Sequence, residues 1–372
     1  MIIGVPKEIK NSENRVAITP AGTHALVKEC HTVIVEHLAG FGSGITDADY
    51  INSGAKILDN NADIYKTADL IVKVKEPLQN EYNLLKEEQT LFTYLHLAPN
   101  RPLTEALLSK KITAIAYETV QCDDCSLPLL RPMSEVAGRM SVQIGANLLQ
   151  KYNGGRGILL GGVPGVPSAD VLIIGGGVVG LNAAKIAVGM GARVMLMDIN
   201  QSRLAYLDDI FSGRITTLIY NEYSLSEIVK TIDLLIGAVL ITGAKAPRVV
   251  SEAMVKTMKK GSVIVDVAID QGGSIETIDR VTTHDNPCYE KYGVIHYSVA
   301  NMPAAVPRTS TYALTGVTLP YIIKIAGKGV QVALREDKSL LKGLNTYQGK
   351  ITCEPVAKVM ALEYIPAVQL IF

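Results

Sequence analysis

The run Val171-Leu172-Ile173-Ile174-Gly175-Gly176-Gly177-Val178-Val179-Gly180 decides the fold. Its four branched apolar residues read as a strand buried on both faces, and the glycines open an apolar helical pattern reaching Gly189. Gly175, Gly177 and Gly180 fit G-x-G-x-x-G, a weak signal alone. Here the next candidate strand, 193–197, leads into Asp198, which completes a βαβ unit of the dinucleotide-binding kind. Each part has a mechanical reason. Gly175 permits the tight turn, Gly177 lets the backbone approach a pyrophosphate, and Gly180 lets helix and strand pack closely. The helix N-terminus offers unpaired N–H groups and a partial positive charge to phosphates. Asp198 can accept both ribose hydroxyls and repels a 2′-phosphate, which favours NAD. Arg203, close by in sequence, keeps NADP open.

Outward from this unit the chain alternates β-branched runs with helical patterns. Upstream, strands are expected at 2–6, 32–37, 70–74, 90–96 and 113–118, with helices at 20–29 and 103–110. Downstream they are expected at 216–220, 234–237, 262–267 and 294–299. Such alternation predicts an α/β fold of doubly wound parallel sheets covered on both faces. Residues 121–132, rich in Asp, Cys and Pro, break the pattern. A helix follows from Ser134, a plausible N-cap, to about residue 152, with Val136, Met140, Ile144 and Leu148 on one face. The Gly- and Pro-dense stretch 154–167 marks entry into a second unit. A helix from Ser310 towards residue 325 can carry the chain back to the first unit, and further helical pattern follows Val330. The expected organisation is a discontinuous substrate domain, 1–130 plus 308–372, with a nucleotide-binding domain, 131–307, inserted.

Composition narrows the function. The chain has 372 residues, of which 48% are hydrophobic and 19% charged, enough for large cores. Thirty-six basic residues balance 36 acidic ones, and aromatics make up 5% with no Trp. Neither nucleic acid nor an anionic membrane surface is the expected partner. Lys7 and Glu8 interrupt the start before an apolar signal region forms, and no uncharged apolar stretch of about 18 residues is present. Five cysteines, an odd number, suggest free thiols and a cytoplasmic location. Cys122-Asp123-Asp124-Cys125 is a C-x-x-C, but it has no second pair and its nearest histidine in sequence is His96. Ordinary loop thiols are the expected reading, a zinc or redox role the alternative, and no metal is expected.

In open parallel sheets ligands lie beyond the carboxyl ends of the strands. The loop after 2–6 holds Arg15, Lys75 follows 70–74, His96 ends 90–96, and Asp270 follows 262–267. A guanidinium, an ammonium, an imidazole and a carboxylate suit a small anionic keto or amino acid. Arg15 could clamp a carboxylate bidentately. Lys75 could bind a carbonyl oxygen or the same carboxylate. His96 can exchange a proton near neutrality, and Asp270 could hold an ammonium or relay a proton. Taken singly, each could be an ordinary loop charge or turn residue; their convergence on strand ends carries the reading.

Longer strings then resemble a known family. Gly4-Val5-Pro6-Lys7-Glu8-Ile9 with Asn14-Arg15-Val16-Ala17-Ile18-Thr19-Pro20 resembles the opening signature of the alanine dehydrogenase and transhydrogenase α-subunit family. So do Val74-Lys75-Glu76-Pro77, Thr93-Tyr94-Leu95-His96-Leu97-Ala98, Met133-Ser134-Glu135-Val136-Ala137-Gly138-Arg139, and Asp266-Val267-Ala268-Ile269-Asp270-Gln271-Gly272-Gly273. Val299-Ala300-Asn301-Met302-Pro303 continues the match, which covers nearly the whole chain. The resemblance implies reversible NAD-dependent oxidative deamination of L-alanine to pyruvate and ammonium. It implies two Rossmann-like domains flanking a cleft and a homohexamer. It implies that Arg15 and Lys75 bind substrate and that His96 and Asp270 exchange protons; in the mechanism this suggests, His96 is the base expected to activate water. It assigns NAD contacts to Ser134, Val178, Val179, Asp198, Arg203, Val239, Leu240, Val267, Ala268, Ile269, Asp270, Ser298, Val299, Ala300 and Asn301.

Two positions depart from the family pattern. Cys30 stands where a glycine usually closes a helix, and Tyr220 stands where some members carry a serine near the adenosine, so its cofactor contact would differ. Two other functions fit parts of the sequence. One is a transhydrogenase α-like NAD(H)-binding subunit working beside a partner chain. The other is a non-catalytic NAD-binding module, which needs the glycine motif but not Arg15, Lys75, His96 and Asp270 together.

Overall fold

The computed structural model describes residues 1–239 and 246–372. Two compact units emerge, Met1–Met133 with Val306–Phe372, and Ser134–Ala305. The first unit contributes β1 (Ile2–Val5), β2 (Thr32–Glu36), β3 (Lys56–Leu58), β4 (Leu70–Val72), β5 (Thr90–Thr93) and β6 (Thr113–Ala116). The second contributes β7 (Asp170–Ile174), β8 (Arg193–Asp198), β9 (Thr216–Ile219), β10 (Leu234–Gly237), β11 (Val263–Asp266), β12 (Cys288–Lys291) and β13 (Val294–Tyr297). The chain then returns to the first unit with β14 (Leu344–Tyr347) and β15 (Lys350–Ile351).

Among the described residues, the first unit forms an eight-stranded sheet ordered β3-β2-β1-β4-β5-β6-β14-β15, and the second a seven-stranded sheet ordered β9-β8-β7-β10-β11-β13-β12. In both, six parallel strands run out from a central strand in two directions, the doubly wound order. The order reverses between β1 and β4 in one unit and between β7 and β10 in the other. Such switch points are where loops part and leave a crevice for a ligand. The central strands are apolar and buried on both faces, as helix-covered parallel strands must be.

The sheets are parallel-dominated, as expected, and mixed at their edges. β14 and β15 pair antiparallel at one edge, and β12 pairs antiparallel with β13 at another. The tail after Val330, expected to stay helical, therefore contributes two strands. Gln348 and Gly349 join them with φ of 48° and 76°, the two-residue turn whose twist matches a hairpin.

Several strands stop short of their expected ends for one reason: side-chain carboxylates take the N–H groups that a ladder would use. β4 ends at Val72 and not residue 74, because Glu8 Oε1 accepts from Val74 N–H at 2.6 Å. β5 ends at Thr93, because Glu118 accepts from the N–H groups of Leu95 and His96. The helix expected to begin at Ser134 begins at Arg131 and ends at Leu148. Pro132 sits in its first turn, where its missing N–H costs nothing, so Ser134 lies inside the helix and is not its cap. Lys151–Asn153 form a separate 3-10 turn closed by Gly154 at φ +86°. The return helix begins at Pro307, before Ser310, and runs to Lys328. No helix among the described residues is long and apolar enough to cross a membrane.

Candidate active site

In the first unit, three of the residues read from the sequence follow neighbouring strands: Arg15 after β1, Lys75 after β4 and His96 after β5. The switch point between β1 and β4 thus carries a guanidinium and an ammonium. Arg15 is almost fully buried. Its Nε donates to Glu13 Oε1 at 2.6 Å and its Nη2 to Glu13 Oε2 at 2.5 Å, while Nη1 donates to Met133 Sδ at 3.1 Å. Glu13 is thus the carboxylate that takes the Nε and Nη2 donors of Arg15 in this structure. Of these partners the thioether is the weakest acceptor.

Lys75 is half-buried, its N–H directed at Glu8 Oε1 at 3.3 Å and its carbonyl accepting from Thr93 Oγ1 at 3.0 Å. Its ammonium lies 5.9 Å from the centroid of the Tyr94 ring. The same ring stacks with His96, centroids 6.1 Å apart and planes 14° apart. Tyr94 is buried and donates its hydroxyl to Leu129 O at 2.7 Å, and burial pushes that hydroxyl well above the usual phenol range. A neutral, fixed aromatic platform thus positions both side chains. Glu76, beside Lys75, pairs with Lys10 at 2.5 Å. Burial alone would raise its carboxyl, but Lys10 and then the Lys75 and His96 charges outweigh that and hold it below the carboxylate range.

His96 is exposed at 45% of its side chain and adopts a left-handed φ of 47°. A residue with a Cβ holds such a conformation only when its surroundings impose it. Glu118 does so: its carboxylate accepts from His96 N–H at 2.7 Å and from Leu95 N–H at 3.1 Å, and it lies 4.0 Å from His96 Nδ1. Beneath the loops, fully buried Lys73 donates to Glu81 Oε1 at 3.0 Å and pairs with Glu8 Oε2 at 3.3 Å. Burial alone would lower the Lys73 ammonium, but the two carboxylates outweigh it and raise it. This pair anchors Glu8, which holds the start of the Lys75 loop.

Glu8, Glu13 and Glu118 have no part in the sequence-based site, yet they set its geometry. Glu118 ends the expected strand 113–118 as His96 ends 90–96, and the parallel pairing of β5 with β6 brings the two ends together. Glu13 and Glu8 carry no comparable pattern.

In the second unit the glycine loop leaves β7 and enters the helix Val178–Gly189. Gly175 has φ +105°, and a Cβ there would lie 2.5 Å from Ala238 O. A Cβ on Gly180 would fall 1.8 Å from Gly175 O, so only glycine allows this approach of helix to strand. At Gly177 a Cβ would meet nothing within 4 Å, and this residue caps the helix without a side chain. Backbone N–H groups are thus presented to an anion with no side chain in the way, a cradle that fits a pyrophosphate. Asp198 Oδ2 accepts from Gly176 N–H at 2.6 Å and Oδ1 from Asn200 N–H at 2.8 Å. The carboxylate fixes the loop and keeps lone pairs for further donors. Arg203 donates its Nε to Gly176 O at 2.5 Å, which ties the guanidinium to the loop.

Val239 follows β10 across the switch point, and Leu240 lies outside the described residues. Tyr220 follows β9 and donates to Val249 O at 3.4 Å. Val267, Ala268, Ile269 and Asp270 form a 3-10 turn after β11. Asp270 is exposed, while Asp266 is fully buried and accepts from Ala268 N, Ser274 N, Ser274 Oγ and Ile275 N. Burial raises the Asp266 carboxyl against the pull of those bonds. Asp266, which the sequence reading passes over, is the group that shapes the loop presenting Asp270. After β13, Ser298 donates to Arg280 O at 2.9 Å, Val299 bridges to Thr282, and Ala300 leads to Asn301 at φ 60°.

Residues 4–137 match the family model for the alanine dehydrogenase/PNT N-terminal domain, and residues 141–354 match that for the alanine dehydrogenase/PNT C-terminal domain. The chain belongs to the alanine dehydrogenase/PNT family. Within this family it is 65% identical over 367 residues to an alanine dehydrogenase of Methanococcus maripaludis, covering 99% of this chain and 98% of that one. It is 58% identical over 364 residues to alanine dehydrogenase 2 of Staphylococcus aureus, covering 98% of each. A solved L-alanine dehydrogenase structure superposes with a TM-score of 0.94 at 51% identity, covering 97% of this chain and 99% of that one. A transhydrogenase from Sinorhizobium meliloti shares the fold, with a TM-score of 0.80 at 24% identity over 95% of this chain and 99% of that one.

Proposed function

We propose that the protein is an NAD-dependent alanine dehydrogenase, which reversibly deaminates L-alanine to pyruvate and ammonium. The observation that carries the reading is the placement of Arg15, Lys75 and His96 at the carboxyl ends of adjacent strands around a switch point. Whole-chain identity to alanine dehydrogenases supports it. The first unit would hold the small acid and the second the nucleotide, with Gly175, Gly177 and Gly180 at the phosphates and Asp198 at the ribose. When bound, NAD supplies the acceptor for the hydride that leaves alanine Cα, and NADH returns it.

In this proposal the Nη1 edge of Arg15 and the Lys75 ammonium hold the substrate carboxylate and stabilise charge on the developing oxygen. Asp270 receives the amine proton or orders water. His96, aimed by Glu118 and the Tyr94 ring, takes a proton from the water that attacks the imine carbon. His96 then returns that proton to the carbinolamine nitrogen and takes up the hydroxyl proton as the carbonyl forms and ammonia leaves. The carboxylate on Asp198 supports NAD over NADP, since a 2′-phosphate would meet like charge. Ser134, Val178, Val179, Arg203, Tyr220, Val239, Leu240, Val267–Asp270 and Ser298–Asn301 are the further NAD contacts of this reading. A cytoplasmic homohexamer belongs to the same proposal. A transhydrogenase-like subunit is the second reading; it leaves Lys75 and His96 without a task.

The test is reduction of NAD or NADP by L-alanine. Turnover with NAD at a kcat/KM at least about tenfold above that with NADP supports the assignment. Equal use of both would remove the Asp198 argument, and no alanine-dependent reduction would remove the function.

A further inference from the structure

We propose that Cys122 and Cys125 form a redox-modification site, a dithiol in one surface turn that closes to a disulfide by exchange with a low-molecular-weight disulfide. The inference is independent of the dehydrogenase chemistry. Both thiols are free. Cys125 N–H donates to Cys122 O at 3.0 Å, and Cys122 N–H donates to Ser126 O at 3.0 Å, so the turn is closed from both sides. A turn with this bond holds its first and fourth Cα atoms within about 7 Å. A disulfide requires a Cα separation of about 4.4–6.8 Å, a span that a turn of this kind allows.

The turn is held in place. Asp124 Oδ1 accepts from Ser126 N–H at 2.9 Å, and Lys342 Nζ lies 3.4 Å from Cys122 O and 3.6 Å from Asp123. Exposure assigns the order of events: Cys125 is exposed and Cys122 half-buried. The Cys125 thiolate attacks a disulfide RSSR, forming Cys125–S–SR and releasing one thiolate. The Cys122 thiolate then attacks Cys125 Sγ and expels the second. Two protein thiols lose two protons and two electrons, and RSSR becomes two RSH. Among the described residues no group of three or more His, Cys, Asp or Glu side chains could hold a metal, so a dithiol role is favoured over zinc. The remaining thiols differ. Burial pushes Cys288 and Cys353 up, disfavouring their thiolates, and Cys30 is exposed without a second cysteine beside it in sequence.

The test uses the full chain carrying Cys30→Ser, incubated natively with glutathione disulfide, alkylated, and read by intact mass and peptide mapping. The expected result is loss of two hydrogens, located between Cys122 and Cys125 and reversed by dithiothreitol. In that background Cys122→Ser should abolish the loss and leave one glutathione on Cys125, and Cys125→Ser should also abolish it. Separate glutathiones on both cysteines, both thiols remaining alkylatable, or a loss that persists in Cys122→Ser would overturn the proposal.

Discussion

His96 owes its position to other residues more than to its own strand. Its left-handed backbone is fixed by the Glu118 carboxylate, and its ring lies along Tyr94. Replacing His96 with Ala should leave NADH binding intact and lower kcat at least about 100-fold, as loss of a general base does. Steady-state kinetics with a fluorescence titration of NADH checks it, and near-normal turnover would take His96 out of the mechanism. The same residue shows what a sequence reveals. A histidine at the end of an apolar run is visible as a candidate. The carboxylate that aims it lies 22 residues away and becomes a neighbour only once β5 and β6 pair. Arg15 teaches the same lesson in reverse: its charge was legible, but the Glu13 carboxylate that takes its Nε and Nη2 donors, two residues upstream, was not.

At the scale of elements, strand cores were legible because β-branched runs announce them, and strand ends were not. The bond from Glu8 to Val74 N–H and those from Glu118 are tertiary contacts with no local pattern. The β14–β15 hairpin was missed because its second strand has two residues and its turn is marked only by Gln348-Gly349. The first helix, Pro20–Lys28, ends in a Schellman motif: His31 N–H donates to Leu26 O, and Cys30 N–H to Val27 O. Cys30 sits at φ 63°, where glycine is preferred. Cys30→Gly should stabilise by about 1 kcal/mol, raising Tm by about 2–4 °C in thermal unfolding; a lower Tm would refute the strain. In the glycine loop, Gly180→Ala must displace the Gly175 carbonyl, 1.8 Å from the added Cβ. It should cost about 1–3 kcal/mol of stability and weaken NADH binding at least about tenfold, measured by thermal unfolding and fluorescence titration. Unchanged affinity would show that the loop tolerates the shift.

For the molecule as a whole, the doubly wound order of both sheets is what places functional loops at switch points, and the alternation of strand and helix made that order readable. The antiparallel edges lie away from those points, so missing them left the reading of the loops intact. Global stability should also carry one pH signature. His296 is fully buried between Thr277 Oγ1, 2.7 Å from Nε2, and the Val294 carbonyl, 2.9 Å from Nδ1. Burial lowers its affinity for a proton below the ordinary histidine value. The unfolded chain then binds a proton near pH 6.5 that the folded chain does not. Stability is full above that pH and falls as acidity increases through the window below it, by at most about 1.4 kcal/mol per pH unit. Thermal unfolding from pH 8 to 5.5 should show this loss, and His296→Gln should show less of it; equal slopes would assign the acid sensitivity elsewhere.

The central claim is tested most directly by following NADH with pyruvate and ammonium supplied together and then singly. The account predicts oxidation only when both are present, with alanine as the product. Oxidation by pyruvate without ammonium would make the protein a hydroxy-acid dehydrogenase and contradict the account.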